Sequence, residues 1–210
     1  MGQVLTPAHM VKKTVLLFAL AALACSLPLS AVDLTPRYID NFDEGEATHR
    51  LYFTDGERKI GITLDRETVV GPGGGGAVFR FPKFPEASFL VKRSPMPADQ
   101  VFTGIALARY REAARRLLPP SVTEVKVIEE LENPLTINRW RSFRFGYTFV
   151  NGTVPMVGQV TFLSLNADEQ IVLVTLAAER NFAEAAARSF HIIRSWQPML
   201  PGDEKPVRYN

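Results

Sequence analysis

The stretch RWRSFRFGYTFVNGTVPMVGQVTFLSLNADEQIVLVTLA (residues 139–177) decides the fold of this 210-residue chain. Two runs of alternating residues flank Asn151-Gly152, a dipeptide typical of a tight hairpin turn. Because side chains alternate along a strand, one face collects the aromatic residues Phe143, Phe145, Tyr147 and Phe149. The run Ile171–Ala177 is apolar on both faces, as in a central strand. With TEVKVIEELE upstream, the pattern predicts a meander of three or four antiparallel strands.

Two amphipathic helices are predicted on either side of this meander. The first covers roughly residues 98–118 and ends at Pro119-Pro120. Its apolar face consists of Phe102, Ala106, Tyr110, Ala113, Ala114 and Leu117. The opposite arc carries Glu112 and four arginines, Arg109, Arg111, Arg115 and Arg116. We interpret this arc as a solvated surface, with an anion, lipid-headgroup or partner patch as the alternative.

The second helix is predicted over roughly residues 181–195. Asn181, followed three residues later by Glu184, resembles a capping box at its start. Its apolar face is expected to contain Phe182, Ala186, Ser189, Phe190 and Ile193.

The N-terminal half contains further strand signals. Asp55-Gly56 lies between apolar runs and predicts a hairpin of strands near 49–54 and 58–64, with a type I′ turn. Another strand is predicted over Ser88–Ser94. The run GPGGGG (Gly71–Gly76) is interpreted as a flexible surface loop. A phosphate cradle would require a following helix and a Lys-Ser/Thr pair, and the sequence has neither there.

These elements predict a single α+β domain over residues 48–196. In it, an antiparallel β-sheet, made of the hairpin and the meander, packs with the two amphipathic helices. Residues 32–47 are polar and acidic, and we expect them to form an N-terminal arm. Residues 197–210 are rich in proline and polar side chains, and we expect a disordered tail.

Residues 1–31 have the pattern of a secretory signal peptide. Lys12 and Lys13 precede the uncharged apolar run Val15–Ala24, which is too short to span a bilayer. Translation is expected to begin at Met10, because the residues from Met10 onward match such a leader better than the first nine do. The leader predicts a periplasmic or extracellular location.

Two cleavage sites are compatible with this leader. Cleavage before Cys25, the single cysteine, uses ALAC, which resembles a bacterial lipobox and would make Cys25 a lipidation site. Cleavage after Ala31 uses LSA and would release an unanchored protein. Without residues 1–31 the formal charge falls from +2 to zero, because the leader holds two lysines and no acid. We therefore expect no nucleic-acid partner, and membrane contact only through an N-terminal lipid anchor.

No catalytic, cofactor-binding or metal-binding residues are predicted. The sequence has neither a G-x-S-x-G nor an H-E-x-x-H motif, and His49 and His191 lack the spacing of metal ligands. The acidic group Asp40, Asp43, Glu44 and Glu46 also lacks the spacing of a calcium loop.

The function expected from these features is that of an exported bacterial envelope protein, acting as a non-enzymatic binding or accessory module. Its partner would be an envelope protein or a small ligand. One alternative is a small-molecule carrier with a cavity lined by Phe143, Phe145 and Phe149. Another is a hydrolase whose catalytic carboxylates come from distant strands.

The predicted order of hairpin, strands, helix, meander and C-terminal helix resembles the PsbP superfamily. That family comprises α/β/α sandwiches such as PsbP-type photosystem extrinsic proteins and DcrB-type bacterial lipoproteins. The resemblance covers roughly residues 48–196 and includes the ending RNFAEAAARSFHIIRSW, which is similar to the family's closing helix at Phe190, Ile193 and Trp196. It implies an accessory or binding role and brings no catalytic motif with it, and a fold alone does not define function.

Overall fold

A computed structural model describes residues 32–43, 46–65, 67–94, 96, 104–133, 140–166 and 169–199; the side chains of 40–43 and 46–50 are not included. These residues form strands, two α-helices and one short 3₁₀ turn at Glu179–Asn181. The strands are β1 Asp33–Asp43, β2 Glu46–Asp55, β3 Arg58–Ile62, β4 Val69–Gly73, β5 Gly76–Phe81, β6 Phe84–Arg93, β7 Thr123–Glu132, β8 Arg141–Asn151, β9 Val154–Ser164, β10 Gln170–Ala178 and β11 Gln197–Pro198. The helices are α1 Gly104–Arg115 and α2 Phe182–Arg194.

The larger sheet has seven antiparallel strands in the order β4-β5-β6-β10-β9-β8-β7. Its second half is the predicted meander, β7 to β10, in which each strand pairs with the next in sequence. Strand β10 lies between β6 and β9, which explains why its residues are apolar on both faces. The α+β prediction is therefore confirmed.

A second sheet of four strands has the order β1-β2-β3-β11. The predicted hairpin is present as β2-β3, but it belongs to this smaller sheet and not to the sheet of the meander. The expectation of an N-terminal arm is wrong for residues 33–43, which form a strand that pairs with β2 at Asp33 and, after a bulge, from Arg37 to Asp43. Val32 and Leu34 are buried and alternate with more exposed neighbours. These two apolar side chains hold the otherwise polar stretch against the core as a strand.

The expected tail also begins inside the fold. Gln197 and Pro198 pair with β3, and the backbone N–H of Met199 donates to the carbonyl of Lys59 at 2.9 Å. Residues 200–210 lie outside the described part of the chain.

The two faces of the large sheet are covered differently. Helix α1 covers one face, where Tyr110, Ala114 and Leu118 pack against the aromatic residues of β8 and against Phe162. The other face carries α2 over β6 and β10, together with the smaller sheet. All four aromatic residues predicted to share the inner face of β8 are buried on the α1 side. The predicted start of the first helix, residues 98–103, lies outside the described residues.

The two predicted tight turns are present, but in each of them the glycine is the first of the two central turn residues and not the second. In both the β2-β3 and the β8-β9 hairpin the two turn residues begin at the glycine, Gly56 or Gly152, which has positive φ. A positive φ at the first central residue alone is the requirement of a type II′ turn. The type I′ geometry appears at Gly74-Gly75, where both φ values are positive. The glycine run is thus the β4-β5 hairpin and not a flexible loop.

Helix α2 is rotated relative to the face predicted for it. Its buried residues are Ala185, Ser189, Ile192 and Ile193, whereas Phe190 is 36% exposed. The expected capping box is absent, because the Asn181 side chain donates to the Glu86 carboxylate and makes no cap hydrogen bond. Glu184 instead pairs with Arg188 at 3.2 Å.

Gly76 provides a test of the packing between β5 and β6. A Cβ added there would lie 2.0 Å from the carbonyl oxygen of Val91 and 2.8 Å from the Cα of Lys92. Because both atoms belong to the backbone, Gly76→Ala is expected to lower the free energy of unfolding by about 2–3 kcal/mol. The matched control is Gly71→Ala, where nothing lies within 4 Å and a change within about 0.5 kcal/mol is expected. Equal denaturant midpoints for the two variants would contradict this packing.

Candidate functional site

A groove lies between α2 and the uncovered part of the large sheet, and it encloses about 270 Å³. The helix contributes Ala186, Ser189, Phe190 and Ile193. Strands β6, β10, β9 and β8 contribute Phe89, Leu173, Thr175, Gln159, Thr161 and Arg144. The groove exists because α2 packs on β10 and β6, which leaves the neighbouring strands without a helix on this face.

The floor of the groove is built by strand register. Arg144, Thr161 and Leu173 are successive partners across β8, β9 and β10. The next row continues with Gln159 and Thr175, which are also partners. Cross-strand partners have Cβ atoms about 5 Å apart, so these side chains adjoin one another on one surface. The floor is therefore polar toward β8 and β9, and apolar toward β6.

The two threonines are unusual for their depth. Thr161 and Thr175 are 5% and 6% exposed, a depth at which hydroxyl groups are uncommon. On the opposite face of the same strands the corresponding residues are Val160, Phe162 and Val174, all of them buried. The polarity is therefore confined to the groove face of this part of the sheet.

An ion pair closes the β8 end of the groove. Arg144 Nε lies 2.7 Å from Glu129 Oε2, and Arg144 Nη2 donates to Glu129 Oε1 at 2.8 Å. Only the Nη2–Oε1 contact has hydrogen-bond geometry, and the buried Nε has no hydrogen-bond partner among the described residues. The side chains are only 20% and 26% exposed, so solvent screens this ion pair incompletely. Each residue compensates the charge of the other.

Gly146 makes room for this pair. It lies opposite Glu129 in the β7-β8 ladder, and a Cβ added there would lie 2.9 Å from the Glu129 Cβ. The bulge between Val127 and Glu129 also changes the strand register at this point.

The outer wall of the groove is Phe190. The guanidinium carbon of Arg194 lies 5.5 Å from its ring centroid, within the range of a cation–π contact. Phe190 was expected in the helix core, yet it stands at the rim with an apolar ring open to solvent.

Carboxylates do not gather in this groove. Among the described residues, no group of three or more His, Cys, Asp or Glu side chains is arranged to hold a metal ion. The carboxyl groups with clearly displaced pKa values are all displaced downward. The Arg111 side chain, by hydrogen bonding, lowers the pKa of Glu130. Hydrogen bonds from Thr35 lower the pKa of Asp33, and those from its own backbone N–H and from Asn181 lower that of Glu86.

The aromatic residues proposed to line a carrier cavity lie elsewhere. Phe143, Phe145 and Phe149 are buried on the α1 face, and Phe145 packs 5.0 Å from Phe143 and 6.3 Å from Phe162 between ring centroids. Tyr147 lies in the same cluster, where burial raises its pKa to about 12. The groove therefore opens on the sheet face opposite to the one expected.

The remaining sequence candidates are dispersed. The four arginines predicted on the first helix are exposed; Arg111 pairs with Glu130 at 2.7 Å, and Arg116, one residue beyond α1, pairs with Glu112. His191 is exposed on α2. Cys25 and the side chains of His49 and of the acidic group at 40–46 lie outside what the structure describes.

Sequence reasoning did not identify the groove, although a partial signal was present. Arg144, Gly146 and Thr148 share one face of β8, opposite the aromatic face. A polar face in a strand adjacent to the centre of the sheet indicates solvent or a ligand. The site forms only when β8, β9 and β10 pair in register, because this pairing places Gln159, Thr161 and Thr175 beside the polar face of β8.

No known protein family and no curated protein matches the chain. Several solved structures resemble it, including the following three. A Pseudomonas aeruginosa protein of unknown function (PA94) is 12% identical over 80% of this chain and 99% of its own, with a TM-score of 0.41. LpqN of Mycobacterium tuberculosis, which is involved in cell envelope biogenesis, is 7% identical over 80% and 92%, with a TM-score of 0.47. PsbP of the cyanobacterium Synechocystis is 12% identical over 82% and 95%, with a TM-score of 0.42.

A PsbP structure is thus among the matches, in line with the resemblance stated from the sequence. The identities and TM-scores describe a partial likeness in fold, and they say nothing about what this chain binds. Within the described ranges, no helix is both long and apolar enough to cross a membrane.

The Arg144–Glu129 pair can be tested by a double-mutant cycle with Arg144→Met and Glu129→Gln. Because the pair is mostly buried, we expect a coupling energy of about 1–2 kcal/mol in denaturant unfolding. The control is the exposed pair Arg116–Glu112, with Arg116→Met and Glu112→Gln, for which about 0.5 kcal/mol or less is expected. Coupling no larger at the groove than on the helix surface would refute the role of burial.

Proposed function

We propose that this chain is an exported, non-enzymatic binding module of the bacterial cell envelope, and that the groove beside α2 takes an amphipathic small ligand. One observation carries the proposal: threonine hydroxyls, a glutamine amide and an arginine line the deep side of a groove whose other walls are apolar. Ligand pockets commonly combine apolar walls with a few convergent polar groups.

The charge balance of the groove indicates the class of ligand. Arg144 is compensated by Glu129, so the site presents no net charge from this pair. The donors and acceptors that face the groove are otherwise uncharged: the Gln159 amide and the hydroxyls of Thr161 and Thr175. A ligand without net charge would therefore place hydroxyl or amide groups on the sheet and an apolar part against Phe89, Ile193 and Phe190.

The lining residues favour binding over catalysis. They include no histidine, cysteine, aspartate or glutamate. The one serine, Ser189, donates its hydroxyl to the carbonyl of Ala185 at 2.8 Å and is engaged by its own helix. A hydrolase needs a general acid or base within reach of the substrate. Asp33, Glu86 and Glu130 have lowered pKa values and lie in ion pairs or local hydrogen bonds.

The compartment in this proposal rests on the leader. The basic residues Lys12 and Lys13 and the short apolar run after them support export. A small ligand or an envelope protein is then the partner. Contact with the membrane would be made through an acylated Cys25 if the chain is cleaved before it.

Filling the groove tests the proposal. Ala186 lines the groove from α2, whereas Ala187 is exposed and does not line it. Ala186→Phe should therefore weaken binding of the uncharged probe N-phenyl-1-naphthylamine at least about tenfold, because the new ring occupies the apolar side of the groove. Ala187→Phe places the same ring on solvent and should leave the dissociation constant unchanged. The measurement is a fluorescence titration of each purified protein.

Displacement of the probe by an envelope extract, from the unaltered protein and from the Ala187→Phe variant, is expected. The extract component that displaces the probe would then identify the class of the natural ligand. Equal probe affinity in both variants, or a hydrolytic activity lost on changing a described carboxylate, would contradict the proposal.

A further inference from the structure

The first described residue is held in place by two distant segments of the chain. The backbone N–H of Val32 donates to Oε1 of Glu169 at 2.8 Å, across 137 residues of sequence. The carbonyl oxygen of Val32 accepts from Nη2 and Nε of Arg93 at 3.1 and 3.3 Å. Val32 itself is 3% exposed and packs in the core shared by the two sheets and α2.

The carboxylate that receives this N–H is itself well positioned. The backbone N–H of Glu169 donates to the side-chain oxygen of Asn166 at 2.8 Å, and its carbonyl accepts from the N–H of Leu165 at 2.9 Å. These bonds fix the entry into β10. The neighbouring acid Asp33 is engaged elsewhere, since its carboxylate accepts from Thr35 and from Arg37.

We propose that the bond between Ala31 and Val32 is the processing site, and that the α-ammonium group of Val32 pairs with Glu169 in the mature protein. This inference rests on the proposed export. A signal peptidase would add water across the Ala31–Val32 peptide bond, which leaves a carboxylate on Ala31 of the released leader and an amine on Val32. At neutral pH that amine takes up a proton and becomes an ammonium group.

Three observations converge on this bond. The compact unit that contains the described residues begins at Val32. The small residue Ala31 directly precedes it, as an A-x-A-like signal-peptidase site requires, while the other recognised position holds Leu29, which is tolerated. The partner of its nitrogen is a full carboxylate, which gains more from an ammonium group than from an amide, because charge-assisted hydrogen bonds are roughly twice as strong as neutral ones.

Processing at this bond would fasten β1 to the large sheet. The new N-terminus would join the start of the smaller sheet to the turn between β9 and β10, while Arg93 holds the same residue from β6. An acylated chain starting at Cys25 would keep Val32 as a peptide amide and would lack this ion pair. The structure therefore favours cleavage after Ala31 over the lipobox.

The first test is the intact mass of the full-length chain after expression in a bacterial host. A mature species beginning at Val32 is expected. A species beginning at an acylated Cys25 would overturn this inference and leave export standing. A chain kept at its full mass would overturn both export and this inference.

The second test separates the ion pair from simple packing. The chain starting at Val32 is compared with the same chain carrying one extra alanine before it, which moves the amine by about 3.8 Å. We expect the extra residue to reduce the folding equilibrium constant about tenfold, a size typical of a charged hydrogen bond. In the Glu169→Gln background the extra residue should have almost no effect, whereas in the control Glu57→Gln, in an exposed turn, the tenfold loss should persist. If the extra alanine reduced the folding equilibrium constant equally in the unaltered, Glu169→Gln and Glu57→Gln chains, the proposed pairing of Val32 with Glu169 would be overturned.

Discussion

The fold depends on one constraint, which is that strand β10 must be buried on both faces. Ile171, Leu173 and Ala177 point to one side of it and Val172 and Val174 to the other, and all are buried. A strand of this kind can occupy only the interior of a sheet that has a layer on each side. Helix α1 supplies one layer, and α2 with the smaller sheet supplies the other. The chain has a single cysteine, Cys25, so these two layers stabilise the domain without an internal disulfide.

The groove follows from the unequal width of these layers. Seven strands make a sheet wider than one helix can cover, and α2 sits over β6 and β10. The strands β8 and β9 therefore present polar residues where they meet the open side, while their other face carries aromatic residues under α1. The rotation of α2 that buries Ala185 and Ile192 also moves Phe190 to the rim. Packing of the core and the shape of the groove thus have the same cause.

Sequence periodicity predicted the elements whose signal is local. The aromatic alternation of β8, the two-sided apolar run of β10 and the approximate helix ends each depend on neighbouring residues. The helices were predicted to end near Leu118 and Ser195, and they end at Arg115 and Arg194. Strand β1 was missed because its sequence is polar, although its partner β2 follows directly in the chain, and β11 was missed because its partner β3 is remote in sequence. The glycine run was misread for a related reason: flexibility and a type I′ turn require the same residue, and only the paired flanks distinguish them. The groove needed the register of three strands, which no local pattern contains.

The smaller sheet joins the two ends of the described chain, and this explains why both ends were misjudged. Its outer strands, β1 and β11, are the first and last described elements, and each pairs with the same central hairpin. Neither has enough apolar surface to signal a strand by itself. Each is held by contacts with specific remote atoms, Val32 with Glu169 and Arg93, and Met199 with Lys59. Strands held in this way become stable only when the hairpin and the large sheet are already in place. Strands β1 and β11 are therefore set by tertiary contacts, whereas composition alone predicts a polar arm for the first and a disordered tail for the second.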